Sequence, residues 1–256
     1  MRFNSNMDNN LAKAVNKITL PNKSRSYDLC IKADAMRFAK LYKESVKTYL
    51  DAIMMDRNHQ AAYWGLASSY KYLEQYSKAI NILTKLTAID DKNDKYFFEL
   101  GVCYLCNGRP DLSIPHLIKA IILNKENLEA QIQLAIAHEL VDEPELSIMI
   151  YDKLIETNPE FLKAYHNKAA MLMGQERFEE SSKIFFQLLK KNPDYYKAYL
   201  GIAMCLDKLG RYCEAIRYYK KFLELKKFSE DAKFARERIP ELKRLLPKRE
   251  NALKLV

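Results

Sequence analysis

The chain has 256 residues, 48% of them hydrophobic and 29% charged, enough to bury a core, while its 6 glycines leave little room for phosphate-cradling loops. The formal net charge of +9 suggests a nucleic-acid partner until it is located. Residues 1–25 carry five basic groups and one acid, residues 226–256 carry ten and five, and the body between them is balanced. No apolar run reaches the roughly 18–20 residues of a membrane span, and the polar start MRFNSNMDNN lacks the apolar stretch of a secretory signal. Five cysteines, an odd number, suit a reducing cytoplasmic location better than a disulfide framework.

In chain order, residues 1–25 form a polar, basic segment in which Leu11, Val15 and Ile18 recur at i, i+4, i+7. This predicts a short amphipathic helix over Asn10–Leu20, ended by Pro21. From Ser26 the chain repeats every 34 residues without insertion, as units 26–59, 60–93, 94–127, 128–161, 162–195 and 196–229. A fixed period of this length predicts a helical repeat array. Each unit reads as two amphipathic helices joined by a short turn. In the third, Phe97, Leu100, Gly101 and Tyr104 mark the first helix, Asn107–Gly108 breaks it, and Pro110 opens a second that carries Leu117, Ala120 and Ile121. In the last, Gly210 does the breaking and Tyr212, Ala215, Tyr219 and Phe222 follow.

Counting places within a unit, the eighth is always small (Ala33, Ala67, Gly101, Ala135, Ala169, Ala203), and so is the twentieth (Ser45, Ala79, Ser113, Ser147, Ser181, Ala215). Place twenty-four is large: Tyr49, Leu83, Leu117, Tyr151, Phe185, Tyr219. Two helices of a hairpin approach closely only where neither is bulky at the crossing, so notches and knobs alternate along the array. After Ser229, Ala235, Ile239, Leu242 and Leu246 line one face of a further helix. Residues 230–256 are therefore read as a capping helix, kinked or split at Pro240, with a basic tail frayed from Pro247 onward.

These units resemble tetratricopeptide (TPR) repeats. Tyr63, Tyr165 and Tyr199 stand at the family's aromatic fourth place, Leu66, Leu100 and Leu134 at its seventh, and Tyr70 and Tyr104 at its eleventh. Ala52 and Ala120 match its twenty-seventh place, Pro159 and Pro193 its thirty-second. Lys32 and Lys168 depart at place seven, as do Leu86, Leu154, Leu188 and Phe222 at twenty-seven. The resemblance implies an all-α fold, an α-solenoid coiled as a right-handed superhelix of helix-turn-helix units. It also implies a concave groove, lined by the first helices, that holds peptide segments. With places four, seven, eight and eleven against the partner helix, places two, five, nine and twelve form the groove stripe. That stripe offers Trp64, Ser68, Lys71, Phe98, Val102, Leu105, Ile132, Ile136, Lys163, His166, Met173, Lys197, Leu200 and Met204. Its middle is apolar, Lys163 and Lys197 add charge, and Trp64 and Phe98 are the expected anchors. Some members of the family clamp acidic chaperone tails with Lys and Asn. Place nine here reads Asp34, Ser68, Val102, Ile136, Ala170 and Met204 instead of Asn, and only Lys163 with Asn167 matches part of that clamp.

No catalytic residues are expected. Cys103-x-x-Cys106 falls late in a helix, away from the N-terminus that would acidify a thiol, and has no second ligand pair for zinc. The four histidines occupy different places in different units, and no Ser/His/Asp set or nucleotide fingerprint occurs. The resulting reading is a non-enzymatic scaffold or adaptor, without metal or cofactor, that binds other proteins through its groove. The alternative is an RNA-associated adaptor using the basic segment Lys226–Lys254. Partner identity and oligomeric state are open at this level.

Overall fold

The computed structural model describes the backbone of residues 5–246 and the side chains of residues 22–246. Among the described residues there are thirteen helices and no strand. The chain divides into two compact units, Met1–Val141 and Asp142–Val256. The first holds α1 (Ser5–Phe38), α2 (Tyr42–Met55), α3 (Gln60–Tyr72), α4 (Tyr76–Ile89), α5 (Asp94–Cys106), α6 (Pro110–Leu123) and α7 (Leu128–Leu140). The second holds α8 (Pro144–Thr157), α9 (Leu162–Gly174), α10 (Phe178–Lys191), α11 (Tyr196–Lys208), α12 (Tyr212–Leu225) and α13 (Glu230–Leu245). Each helix packs on the next within its unit, in the manner of an α-solenoid.

Local chemistry explains the regular stops. Place fifteen, just past each first helix, takes a left-handed backbone at Lys40, Glu74, Gly108, Asp142, Glu176 and Gly210. At five of these turns the next N–H reaches back to the carbonyl five residues earlier, at 2.9 Å in each of Leu41–Met36, Gln75–Tyr70, Arg109–Tyr104, Arg177–Leu172 and Arg211–Leu206. This bond satisfies a carbonyl that the helix end would otherwise orphan. Two of the six residues are glycine; the others bear a steric cost of roughly 1–2 kcal/mol each for a left-handed L-residue. The second helices end at Asp56, Asp90, Asn124 and Asn192, whose side chains accept from the backbone N–H two residues on at 3.0–3.2 Å. Such turns redirect the chain into the next first helix.

The small residues do more than leave space. Ser113 Oγ donates to the Gly101 carbonyl at 2.8 Å, and Ser181 Oγ to the Ala169 carbonyl at 2.7 Å, joining places twenty and eight of one hairpin. Place twenty also meets place ten of the following unit: Ser45 and Ser69 hydroxyls lie 2.8 Å apart, and Cys205 Sγ lies 3.4 Å from Ser181 Oγ. The knob at place twenty-four presses on place six of the next first helix. A Cβ on Gly65 would stand 2.2 Å from the Tyr49 ring, and one on Gly201 2.4 Å from the Phe185 ring. Ala235 stands at the corresponding place after Tyr219, and all its surface is buried. An aromatic knob therefore goes with glycine or alanine opposite in these three pairs, whereas Glu99 is accommodated after the smaller Leu83.

Three expectations need correction. The helix that Pro21 was expected to end is α1, continuous through Pro21 and past Ser26, because one missing N–H leaves the flanking turns of a 34-residue helix bonded. α13 runs unbroken across Pro240 from Glu230 to Leu245. Ile132, assigned to the groove stripe, is fully buried and has no surface to offer a ligand. The basic tail from Pro247 lies outside the described residues.

Candidate functional site

In the first unit the stripe runs over α3, α5 and α7. Trp64, Ser68, Phe98, Val102, Leu105 and Ile136 are half-buried, each with part of its surface open. Trp64 is partly engaged already: its ring centroid lies 5.1 Å from that of Tyr96, against the α3–α5 core. Lys71 is neutralised within the fold. Its Nζ lies 2.6 Å from Glu99 Oε2, with the two side chains 22% and 20% exposed. Burial works against the Lys71 ammonium, but Glu99 outweighs it and the pKa rises. This stretch is therefore apolar with a spent charge.

In the second unit the stripe runs over α9 and α11 and differs in charge. Met173, Leu200 and Met204 are half-buried, and Lys163 and Lys197 are exposed at place two of their helices. His166 is half-buried between the Phe185 and Tyr195 rings, with centroids 5.9 and 5.7 Å away. Its Nδ1 is buried without a hydrogen-bond partner. Burial first, then the Lys197 charge, lowers the imidazole pKa, so the ring is neutral at pH 7.

The sequence reading missed the continuation of this stripe. Counted from Glu230, α13 keeps the 34-residue frame and brings Phe234, Arg238 and Glu241 to places five, nine and twelve. With Met204, Asp207, Lys208, Tyr212 and Tyr219 they line an open pocket of about 450 Å³. Arg238 donates to both Asp207 oxygens at 2.8 and 2.9 Å and to Glu241 at 2.8 Å, while the Tyr219 hydroxyl donates to Asp207 at 3.3 Å. The signal was present: Ala235 repeats the small sixth place that follows an aromatic knob. Reading α13 only as a lid hid it.

The remaining candidates are structural. Cys103 is buried near the end of α5, its thiol pushed up to about 12 by desolvation and Glu99, while Cys106 is exposed. A thiol held protonated is neither nucleophile nor metal ligand. His59 is buried 2.7 Å from Ser26 Oγ, and His116 stacks on Tyr104 at 5.4 Å. Among the described residues no group of three His, Cys, Asp or Glu could hold a metal, and no helix is long and apolar enough to cross a membrane. In the basic C-terminal segment, Arg238 is tied to two carboxylates and Arg236 donates to the Lys227 carbonyl.

Two tetratricopeptide repeat family profiles match the chain, at residues 60–93 and 167–231. No curated protein sequence matches it significantly. Among solved structures it is similar to a tetratricopeptide repeat protein from Parabacteroides merdae, at 16% identity and TM-score 0.72, covering 86% of this chain and 89% of that one. It is also similar to PilW, a type IV pilus biogenesis factor, at 18% identity and TM-score 0.68, covering 82% and 97%. A third is YrrB, described as a TPR protein with an unusual peptide-binding site, at 21% identity and TM-score 0.57, covering 73% and 94%. At such identities the likeness is one of fold. Repeats of this family mediate protein–protein interaction. With profile matches in both compact units and helix pairs recurring every 34 residues, this chain is a tetratricopeptide repeat protein.

Proposed function

We propose that the protein is a non-enzymatic scaffold that holds peptide segments of partner proteins against its first-helix stripes, in a reducing compartment such as the cytoplasm. The observation that carries this reading is the set of apolar stripe side chains left half-open: Phe98, Val102 and Leu105 in one unit, and in the other Leu200 and Met204, which pack on the core with one side while Met204 also lines the pocket. Such side chains are preformed and adaptable, and completing their burial gives roughly 25 cal/mol per Å² of apolar surface removed from water. YrrB, a structural neighbour described by its peptide-binding site, agrees with a ligand of this class.

The test is capture of partner proteins on the immobilised full-length chain beside a Phe98→Lys/Leu200→Lys variant checked for helicity by circular dichroism. Proteins held by the wild type and lost by the folded variant support the groove. Retention that ignores the variant but disappears with nuclease would move the working surface to the basic C-terminal segment.

A further inference from the structure

We propose that the pocket lined by α11, α12 and α13 takes the side chain of one tryptophan or tyrosine from a bound protein segment. This names a ligand for the α13 end of the second unit's stripe, so it rests on the peptide-scaffold reading above. The lining sets the shape of the ligand. Phe234 is 44% exposed and meets the Tyr219 ring edge-on, with centroids 6.1 Å apart and planes at 70°. Half-buried Tyr212 and Met204 extend this aromatic and apolar lining. Such rings favour a further ring packed edge-to-face or offset against them. The volume of about 450 Å³ falls within the roughly 300–1,000 Å³ usual for sites that take small groups.

Charge decides against an ionic ligand. Asp207, Glu241, Arg238 and Lys208 all line the pocket, two acids against two bases, so their formal charges cancel. Arg238 is largely spent as well. Its Nε and Nη2 donate to Asp207 at 2.8 and 2.9 Å, and its Nη1 donates to Glu241 at 2.8 Å. An acidic side chain would compete with two carboxylates already in place, and a basic one would meet two cations. A neutral donor is still wanted. Glu241 is 55% exposed, and Arg238 engages only its Oε2. A ligand that fills the pocket takes water from the other oxygen, and a desolvated acceptor without a donor is costly. An indole N–H or a phenol O–H supplies that donor without adding charge, which phenylalanine and leucine cannot do.

The experiment titrates the full-length chain into ring-fluorinated N-acetyltryptophanamide and follows the fluorine NMR line width. Broadening should saturate, and N-acetyltyrosinamide should reverse it, whereas N-acetylargininamide and N-acetylglutamate should not at the same concentration. Phe234→Ala should weaken binding about tenfold, the equivalent of one aromatic contact. Glu241→Ala, at an exposed position, should weaken the tryptophan probe about threefold, the size of one modest hydrogen bond. It should leave competition by N-acetylphenylalaninamide, whose ring has no donor, unchanged. Circular dichroism checks that both variants keep their helices. No saturable broadening, broadening that both folded variants preserve, or equal displacement by the charged competitors overturns the aromatic pocket. A second arm places the ring within a chain: the peptide Ser-Ala-Ala-Trp-Ala-Ala-Ser should displace the probe at least as well as N-acetyltryptophanamide. A peptide that fails to displace it overturns a protein segment as the source of the ring. The groove reading fails separately, by partner capture that ignores Phe98→Lys/Leu200→Lys, since neither residue lines the pocket.

Discussion

Tyr49 and Tyr219 occupy the same place in the first and last repeats, and each buried ring ends in a hydroxyl that meets an Asp–Arg pair, yet the pairs are built differently. The Tyr49 hydroxyl donates to Asp34 at 2.6 Å and accepts from Arg37 at 3.2 Å, and both partners sit one turn apart on α1. For Tyr219 the acid is Asp207 of α11 and the base is Arg238 of α13, bridged through two hydrogen bonds. The Asp34 side chain is 41% exposed and that of Asp207 only 10%. A phenol at place twenty-four thus needs a polar partner that the repeat pattern does not specify. In the first repeat that partner is local, and in the last it ties the closing helix to the array.

The sharpest way to break this comparison is Arg238→Ala. It strands a nearly buried Asp207 carboxylate and should cost about 2–3 kcal/mol in urea denaturation. Phenol titration should follow, because burial and then Asp207 already raise the Tyr219 pKa and an uncompensated carboxylate would raise it further. Next come the two glycine notches. Gly65→Ala pushes on a Tyr49 ring anchored by its hydroxyl, while Gly201→Ala pushes on Phe185, which has no such anchor and can shift. We expect about 2–3 kcal/mol lost for Gly65→Ala and about 1 kcal/mol for Gly201→Ala, read from denaturation midpoints. Equal losses would mean the hydroxyl does not hold the ring. Glu74→Gly relieves a left-handed backbone at 58° and should stabilise the chain by about 1 kcal/mol in thermal unfolding. Arg37→Ala should be the smallest change, about 0.5 kcal/mol in the same assay, because water screens the half-exposed Asp34 it leaves behind. A loss as large as that of Arg238→Ala would erase the contrast between the two ends.

Much of the fold was legible because a repeat announces itself several times. Small residues at places eight and twenty and large ones at twenty-four give the helical hairpin, and the resemblance to tetratricopeptide repeats follows from them. Less visible were the left-handed fifteenth place, filled by Lys, Glu, Asp or Gly, and the sixth place, where Gly65 and Gly201 make room for an aromatic of the preceding unit. Both require comparing units with each other rather than reading one alone. The candidate stripe could be counted out by place, but counting does not measure exposure. Ile132 and Ile136 are one turn apart, and one is sealed while the other is half-open. Nor does it tell that Lys71 is bound to Glu99 while Lys197 makes no salt bridge among the described residues.

The sequence by itself determined the helical class, the 34-residue period and the family, because each rests on side-chain size and hydrophobic spacing repeated along the chain. Tertiary structure decided which side chains of the stripe stay open, which cations are already neutralised, and that α13 shares in a pocket with α11 and α12. Those properties belong to pairs of residues far apart in sequence. Burial and charge pairing are set by whichever neighbour the packing brings within a few ångströms, and no single unit carries that information.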